Sequence, residues 1–459
     1  MAAVVFSRDL SLSALLQRQA LERPDRPAIR FGPTGTSCSY RSLWEEVRRQ
    51  EQAWRKRGKS CVGILCDGSF ACVCAIFSAV LAGLQVVLLD ENVSEEELPE
   101  LIRRTDVDVL WGEEILDADM SPWLTEGVSD GAGRILFFTS GTTHASKAVE
   151  LTDASLCASA WNGSALLPLS PEDTLLCLLP LNHVFGFVCG LLWGLACGAC
   201  VALGGGPRSY AQDLRRFAPT ALSTVPLLLR FLLKQNALNP ELRLVLIGAG
   251  DCPPALPAAL KAQGIRVSFG YGLTESSSGV ALSLGEDPYA MTVCPEDRVT
   301  IAEDGEILLE TEACMMQGYY QDPAATEAVL RDGVLHTGDL GRFDEAGLLH
   351  VTGRKKEILV FPDGTKLFLP EYEAKLRSAL PDRDFAVVDW ENAPALVLRG
   401  EEAERESLRT ALEPVMRELP LARRLKTVFF TPDALPRTAT GKLQRWSIKQ
   451  KVVSQYDKN

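Results

Sequence analysis

Short apolar runs alternate with longer amphipathic segments over roughly the first 280 residues of the chain. Buried strands are predicted for VVLLD (86–90), RILFFTS (134–140) and LRLVLIGAG (242–250), and a helix for SYRSLWEEVRRQEQAWRKRG (39–58). An alternation of this kind predicts an α/β fold with largely parallel sheets.

After about Val280 the pattern changes to short strand-like pieces separated by turns: EDGEILLE (303–310), GYYQDPAAT (318–326) and RFDEAGLLHVTGRKKEILV (342–360). These predict a smaller β-rich subdomain. Beyond Lys356 the chain is typical of a separate small α+β unit. Because 459 residues exceed what one core usually organises, we expect two domains, residues 1–355 and 356–459.

One stretch, Val184–Leu203, carries no charge over a length that is sufficient to span a bilayer. It contains four glycines and is followed by three more. A buried helix followed by a buried strand is therefore the favoured interpretation, with a membrane helix as the alternative.

Composition narrows the classes of function. The chain has 47 basic and 60 acidic residues, a formal charge of −13, which argues against a broad nucleic-acid footprint. The amino terminus lacks a basic region followed by an apolar stretch and cleavage site, so we expect a cytoplasmic protein.

Most of the thirteen cysteines sit in apolar runs as small, reduced hydrophobes. The spacing of Cys197 and Cys200 has no second matching pair, so structural zinc is not predicted.

The first segment with candidate chemistry is FFTSGTTHASKAVEL (137–151), whose polar residues directly follow a predicted strand. It places hydroxyls, a glycine and an ammonium close together: Thr139, Ser140, Gly141, Thr142, Thr143 and Lys147. Hydroxyls, backbone N–H groups and a lysine suit phosphate oxygens. The spacing differs from that of the P-loop, and the alternative interpretation is a polar loop.

A second segment, SFGYGLTESSSG (268–279), also follows a predicted strand and brings together Tyr271, Gly272, Thr274 and Glu275. An aromatic face suits adenine, a hydroxyl suits the α-phosphate, and a carboxylate suits Mg²⁺. The alternative is a polar turn.

Two further segments carry charged candidates. Asp339 follows a Thr-Gly pair and suits a ribose diol, with a turn aspartate as the alternative; Arg354 lies downstream. Near the carboxyl end, Lys442 follows a glycine and precedes Arg445 by three residues, although a solvated basic tail has the same composition.

In this order, and joined by LPLNHVFGF (179–187) and GEILLETEACMMQGYY (305–320), these segments resemble the adenylate-forming superfamily over nearly the whole chain. That superfamily comprises acyl-CoA synthetases, peptide-synthetase adenylation domains and beetle luciferase, and the acyl-CoA ligases are the most similar. The resemblance implies a large N-terminal domain of two parallel-type α/β sheet subdomains plus a β-rich subdomain. A small mobile C-terminal α+β domain would follow it.

The resemblance also implies roles for individual residues. Tyr271 would stack on adenine, Thr274 would touch the α-phosphate, Thr139 and Glu275 would hold Mg²⁺, and Asp339 would bind the ribose hydroxyls with help from Arg354. The ATP site would further contain Ser140, Gly141, Thr142, Thr143, Lys147, Gly250 and Gly272. Lys442 matches a mobile catalytic lysine that acts with Thr274, Glu275 and His183. Lys356 falls on the hinge, and Gly364 on the channel for the thiol's pantetheine arm.

The first loop departs from the family pattern, because His144, Ser146 and Ala148 replace a glycine, a proline and a glycine. The conformational freedom of glycine is lost there, and this loss is expected to slow turnover more than it weakens ATP binding. By the same resemblance, the loop around Gly364 is about one residue longer than is common, a difference that bears on thiol delivery and not on adenylation.

By resemblance, the chain is expected to use ATP and Mg²⁺ to convert a carboxylic acid to acyl-AMP, with release of pyrophosphate, and to transfer the acyl group to coenzyme A. The positions Asn182 to Phe185 offer no carboxylate for a substrate ammonium, so a fatty or aryl acid is expected. One alternative acceptor is a separate acyl carrier protein. A non-catalytic protein that binds a nucleotide or acyl ligand is the second alternative.

Overall fold

The computed structural model describes residues 11–32, 34–112, 115–116, 133–139, 146–250, 252–361, 366–437 and 443–449. Its α-helices are, in chain order, α1 (Leu12–Glu22), α2 (Tyr40–Arg57), α3 (Phe70–Leu81), α4 (Leu98–Arg104), α5 (Asp153–Leu166), α6 (Val184–Phe187), α7 (Trp193–Ala196), α8 (Tyr210–Phe217), α9 (Pro226–Lys234), α10 (Ala255–Lys261), α11 (Pro323–Val329), α12 (Leu369–Arg377), α13 (Arg405–Glu418) and α14 (Arg445–Ile448).

The strands are β1 (Pro27–Phe31), β2 (Thr36–Ser39), β3 (Cys61–Cys66), β4 (Gln85–Asp90), β5 (Val109–Trp111), β6 (Ile115–Leu116), β7 (Arg134–Phe138), β8 (Ala148–Thr152), β9 (Thr174–Cys177), β10 (Cys200–Leu203), β11 (Ala221–Thr224), β12 (Leu244–Ile247), β13 (Arg266–Tyr271), β14 (Ala281–Ser283), β15 (Met291–Val293), β16 (Asp297–Ile301), β17 (Glu306–Thr311), β18 (Gly318–Tyr319), β19 (Leu330–Arg331), β20 (Val334–Phe343), β21 (Leu349–Arg354), β22 (Ile358–Val360), β23 (Lys366–Phe368), β24 (Phe385–Trp390), β25 (Ala393–Arg399) and β26 (Thr427–Thr431).

The largest sheet joins a parallel half to an antiparallel half. Its order is β16-β17-β20-β21-β15-β14-β13-β12-β11-β9-β10-β1-β2, with β19 paired to β20. From β13 to β1 the neighbours are parallel, as the apolar runs predict, and from β13 to β16 they are antiparallel. The β-rich part is therefore continuous with the parallel part at the edge of β13.

A second sheet of seven strands has the order β18-β8-β7-β4-β3-β5-β6. Its centre, from β7 to β5, is parallel, and β8 and β18 extend it in antiparallel fashion. The α/β prediction is confirmed by both sheets. One core cluster contains residues of α1, α2, α3 and α5 together with both sheets, so it fixes the positions of the two sheets relative to each other.

The carboxyl-terminal part has its own small sheet, β24-β25-β26, and a two-stranded pair, β22-β23. A core cluster that begins at Leu359 and ends at Phe430 packs α12 and α13 against this sheet. The fold thus consists of a large α/β body followed by a small α+β unit, as predicted. The boundary between residues 355 and 356 stays a prediction.

Two local signals explain where helices begin and end. The Ser39 hydroxyl accepts from the Ser42 amide at the start of α2, and Gly58, with φ of 63°, follows its end. Where the sequence suggests only strand-like pieces and turns after Tyr319, the structure has α11, because the Asp322 side chain accepts from the amide of Ala325 and Pro323 opens the helix.

The uncharged stretch from 184 to 203 forms α6, a π-helical turn (Val188–Leu192), α7 and β10. Most of its residues are buried, which confirms the prediction of a buried helix followed by a buried strand. No helix among the described residues has the length and apolar character needed to cross a membrane. Ten of the thirteen cysteines are buried, as expected for small hydrophobes.

A buried carboxyl group connects α5 to β16. The Asp297 Oδ2 atom accepts from Asn162 Nδ2 at 2.9 Å, and Asn162 Oδ1 accepts from the amide of Glu296 at 2.9 Å. Burial raises the pKa of Asp297 to about 7, although hydrogen bonds from Thr311 and Asn162 act in the opposite direction. This carboxyl group is therefore partly protonated near neutral pH.

The raised pKa of Asp297 predicts a pH-dependent stability. Because the folded pKa exceeds the ordinary value of 3.8, the stability linked to protonation is complete at low pH and is lost as pH rises through 7. The free energy of unfolding should fall by on the order of 2–4 kcal/mol across this window. We expect Asp297→Asn to remove that decrease, as measured by urea unfolding between about pH 5 and about pH 8. Parallel pH profiles of the two proteins would contradict this assignment.

Candidate active site

The antiparallel pairing of β20 with β21 places Asp339 directly opposite Arg354. The Arg354 Nε atom lies 2.8 Å from Asp339 Oδ1, and the Tyr271 hydroxyl donates to Asp339 Oδ2 at 3.0 Å. Asp339 is buried. Burial and the neighbouring Asp339 carboxylate raise the pKa of Tyr271 well above its ordinary value, so its hydroxyl stays protonated as a donor. We call these three residues the ribose cluster, after the role that the sequence predicts for Asp339.

A tight turn of the backbone orients Asp339. The Thr337 hydroxyl donates to the carbonyl of Ile307 at 2.7 Å and accepts from the amide of Asp339 at 3.1 Å. Gly338 between them has φ of +71°, a conformation that favours glycine. The carboxylate is thus held by both its backbone and its side-chain partners.

Glu275 lies in a single 3₁₀ turn, Thr274–Ser276, shortly after β13. Its Oε1 atom accepts from the Tyr319 hydroxyl at 2.7 Å, and its carbonyl accepts from the amide of Met316 at 2.9 Å. The Lys147 Nζ atom lies 4.1 Å from the centre of the Tyr319 ring, within the range of a cation–π contact. We call Lys147, Glu275 and Tyr319 the phosphate cluster, after the roles that the sequence predicts for Lys147 and Glu275.

Strand pairing brings the phosphate cluster together. Tyr319 of β18 pairs with Val149 of β8, so Tyr319 lies next to the strand that follows Lys147. Lys147 donates its amide to the Thr139 hydroxyl at 3.0 Å, and Thr139 donates its amide to the carbonyl of Lys147 at 2.9 Å. A continuous chain of contacts therefore runs from Thr139 to Glu275.

The segment from Tyr271 to Glu275 connects the two clusters, because Tyr271 belongs to the ribose cluster and Glu275 to the phosphate cluster. Gly250 lies beyond the end of β12, which is parallel to β13 and ends at the same edge of the sheet. Clefts at the carboxyl ends of parallel strands are the usual ligand sites of α/β sheets.

His183 immediately precedes α6. Burial lowers its pKa, although the charge of Asp90 at the end of β4 acts in the opposite direction. Among the described residues, the His183 Nε2 atom is buried without a hydrogen-bond partner. A neutral imidazole with a free nitrogen suits an oxygen atom of a bound ligand.

The chain matches the family model described as AMP-binding enzyme over residues 16–130 and 133–320. It belongs to the AMP-binding enzyme family. The match spans both sheets and includes the segments of Thr139, Tyr271 and Tyr319, which confirms the family predicted from the four segments.

Curated relatives of this family member include two groups of CoA ligases. The oxalate–CoA ligase of Arabidopsis thaliana is 28% identical over 365 residues, which cover 72% of this chain and 70% of the relative. The 2-succinylbenzoate–CoA ligase of Bacillus subtilis is 26% identical over 485 residues, which cover 95% and 97%.

Solved structures share the fold of this family member. O-succinylbenzoate coenzyme A synthetase from Bacillus subtilis, in complex with AMP, aligns with a TM-score of 0.79 and 23% identity over 95% of this chain and 98% of that one. An anthranilate CoA ligase in complex with anthranoyl-AMP aligns with a TM-score of 0.81 and 20% identity over 99% and 100%. Both likenesses confirm a large N-terminal domain followed by a small C-terminal one.

The structure describes only some of the predicted site residues. Ser140, Gly141, Thr142, Thr143, His144, Gly364 and Lys442 lie outside the described residues, so their roles stay predictions. Ser146 is buried and its carbonyl accepts from Arg104, and Ala148 begins β8. Of these two departures from the family pattern, Ala148 thus lies in a regular strand, and Ser146 lies just before it in irregular backbone.

Sequence reasoning missed two residues. Tyr319 stands in the MMQGYY segment, which supports the family resemblance and predicts no site residue, and it contacts two predicted site residues. Glu306 begins β17 in a run that predicts only a strand, yet it is buried and faces Lys355 next to the predicted hinge. A charged residue at the start of an apolar strand was the available signal for Glu306.

Gly272 is predicted to tolerate no side chain. A Cβ atom added there would lie 1.4 Å from the carbonyl oxygen of Ser278, a backbone atom that cannot yield cheaply. We expect Gly272→Ala to lower the free energy of unfolding by about 1–3 kcal/mol. The KM for ATP should rise too, because Tyr271 and Glu275 flank the glycine. Urea unfolding and steady-state kinetics measure both effects.

Gly285 provides the matched control, because a Cβ atom added there meets nothing within 4 Å. We expect Gly285→Ala to change neither quantity. Equal effects of the two substitutions would contradict the close approach of Ser278 to Gly272.

Proposed function

We propose that this protein is an acid–thiol ligase that converts a non-amino carboxylic acid to its acyl-AMP with ATP and Mg²⁺ and then transfers the acyl group to coenzyme A. The observation that carries the proposal is the position of the two clusters at opposite ends of one short segment. The ribose cluster includes Tyr271 and the phosphate cluster includes Glu275. The first offers a buried carboxylate for a sugar diol, and the second offers a lysine and a carboxylate for phosphates and a cation.

The phosphate cluster fits a magnesium ion. Mg²⁺ in nucleotide sites is usually bound by one or two carboxylates, together with phosphate oxygens and water. The Tyr319 hydroxyl donates a hydrogen bond to Glu275 Oε1, so Oε2 is left to contact a cation. The Thr139 hydroxyl belongs to the same chain of contacts. Bound Mg²⁺ would offset the charge of the phosphates, and Tyr319 would orient the carboxylate that holds the ion.

The first half-reaction needs orientation and charge neutralisation more than a general base, because a carboxylic acid is ionised near neutral pH. One carboxylate oxygen attacks the α-phosphorus and pyrophosphate leaves. Lys442 would place a positive charge near the phosphorus as negative charge gathers there. His183, which is buried with an unpartnered Nε2 atom, would orient the carboxylate of the acid.

The acid would place its apolar part behind the 276–279 segment. A small, partly open cavity of about 30 Å³ lies there, lined by apolar and small residues that include Val188, Cys189, Trp193, Leu246, Gly279 and Leu282. No carboxylate among the described residues lines it, so a substrate ammonium would have no counter-charge. An aryl acid is favoured over a fatty one because the relatives include a 2-succinylbenzoate–CoA ligase and an anthranilate CoA ligase.

The decisive experiment for the ligase activity is an acceptor assay. Purified protein is incubated with ATP, Mg²⁺ and a panel of aryl, dicarboxylic, fatty and amino acids, each with coenzyme A, with an acyl carrier protein or with no thiol. We expect acyl-CoA, identified by mass spectrometry, from a compact aryl acid. Acyl-AMP that is transferred only to the carrier protein would contradict coenzyme A as the acceptor. ATP binding without any adenylate would indicate a non-catalytic protein.

A further inference from the structure

A network of charges holds the residue before the predicted hinge. The Lys355 Nζ atom lies 2.6 Å from Asp304 Oδ2 and 2.7 Å from Glu306 Oε2. Burial acts to raise the pKa of Glu306, but the interactions with Lys355, His336 and the Gly338 amide outweigh it and lower the pKa. The buried carboxylate is therefore ionised at neutral pH. We call this network the Glu306 clamp.

The Glu306 clamp also contacts the turn that carries the ribose cluster. Glu306 Oε1 accepts from the amide of Gly338 at 2.9 Å, and Oε2 lies 3.1 Å from His336 Nδ1. Gly338 directly precedes Asp339. One carboxylate thus contacts both the backbone next to the predicted ribose ligand and the side chain next to the predicted hinge.

A second network holds the residue after the hinge. The Arg445 guanidinium lies 2.5 Å from Glu357 Oε1 and 2.8 Å from Glu373 Oε2, and its Nε atom donates to the carbonyl of Val387 at 3.3 Å. It thereby ties the residue after Lys356 to α12, β24 and α14. Arg445 is also three residues beyond Lys442 in the sequence. We call this network the Arg445 clamp.

Between the two clamps stands Lys356, an exposed residue of a 3₁₀ turn, Lys355–Glu357. Charge-assisted hydrogen bonds are stronger than neutral ones, and they hold the side chains on both sides of Lys356 to different parts of the protein. Hinges consist of the few residues that can absorb a change of φ and ψ. Because the side chains of Lys355 and Glu357 are held by ion pairs, Lys356 is the residue that can absorb a change of φ and ψ.

We infer that Glu306 and Arg445 are positioning residues, which confine rotation of the small domain to Lys356. Glu306 also couples that rotation to the position of the backbone at Asp339. This inference rests on the proposed function, because rotation between two half-reactions gives the hinge its purpose. The Glu306 clamp would keep residues 353–355 with the large body. The Arg445 clamp would keep Glu357 with the small domain.

Hydrogen–deuterium exchange of the full-length protein tests the clamps independently of catalysis. In Lys355→Met, we expect the amides of Gly338 and of residues 353–355 to exchange about three- to tenfold faster, because a partly exposed ion pair is lost. In Glu357→Gln, the increase should be confined to residues 357–359. Unchanged exchange at Gly338 in Lys355→Met, or an equal increase there in Glu357→Gln, would overturn the inference.

Matched variants separate positioning from a general loss of stability. Lys261→Met removes another half-exposed lysine, which pairs with Glu286 far along the chain from the hinge, and it should leave the exchange of both segments unchanged. Lys355→Arg keeps the charge and should restore the wild-type exchange. If Lys355→Arg behaves like Lys355→Met, the charge of Lys355 is not what holds the hinge, and the inference fails.

Kinetics then connect the clamps to the two half-reactions. We expect Lys355→Met to raise the KM for ATP in adenylation by about three- to tenfold, through Gly338 and Asp339, and Glu357→Gln to leave that KM unchanged while slowing acyl transfer. The same KM for ATP in Lys355→Met as in the wild-type protein would contradict the connection to Asp339. If wild-type protein forms no acyl-AMP, the proposed function fails, and the exchange result still decides whether the clamps exist.

Discussion

Replacing Asp339 with asparagine is expected to weaken ATP binding by about 10- to 100-fold, because each hydrogen bond to a charged group contributes about 1.5–3 kcal/mol. The carboxylate is the buried group that would accept from the ribose hydroxyls. Asparagine keeps the shape of the side chain, and its oxygen can face Arg354 while its NH2 group donates to the Tyr271 hydroxyl, so the fold should be retained. Titration calorimetry with ATP measures the loss.

A second aspartate on the same hairpin provides the control for Asp339→Asn. Asp344 accepts from the amides of Ala346 and Leu348 and pairs with His350 at 2.9 Å, in the turn between β20 and β21. Asp344→Asn should therefore alter the hairpin without altering ATP affinity. If both variants bind ATP as the wild-type protein does, Asp339 is not the ribose ligand.

Replacing Glu275 with glutamine is expected to lower kcat/KM by about 10²–10³-fold, because the metal contributes several kcal/mol of transition-state stabilisation through this ligand. The amide still accepts from Tyr319, so the local structure should persist while the charge that faces the cation is lost. The rate should also require a higher Mg²⁺ concentration for half-saturation. Steady-state rates over a magnesium titration measure both effects.

Tyr319→Phe tests the same site as Glu275→Gln and should have a smaller effect. It removes the hydroxyl that orients Glu275 and keeps the ring on which Lys147 stacks. We expect a loss of about 10- to 100-fold, the value of a hydrogen bond to a charged group. A larger loss of kcat/KM in Tyr319→Phe than in Glu275→Gln would show that the Tyr319 hydroxyl, and not the Glu275 carboxylate, is the group needed for catalysis.

The sequence predicts the secondary structure well where the pattern is regular. The apolar run at 86–90 lies within β4, the runs at 134–140 and 242–250 contain β7 and β12, and the amphipathic run from residue 39 contains α2. Periodicity identifies such elements because one face or a whole strand is buried. It could not predict that β14 and β15 continue the large sheet beyond β13, since which strand lies beside which depends on tertiary packing.

The candidate site was predictable in its residue types and only partly in its contacts. Asp339 and Arg354 belong to strands joined by a short turn, so their pairing follows from a local hairpin. Tyr319 reaches Glu275 across 44 positions, and Lys355 reaches Glu306 across 49. Contacts at such separations depend on sheet order, and no pattern in the sequence specifies them.

The central claim is that this protein activates a carboxylic acid with ATP, and ATP–pyrophosphate exchange tests it most directly. Labelled pyrophosphate should enter ATP only when the correct acid and Mg²⁺ are both present, and Lys442→Ala should abolish the exchange while ATP still binds. Exchange that needs no acid, or that persists unchanged in Lys442→Ala, would contradict the account.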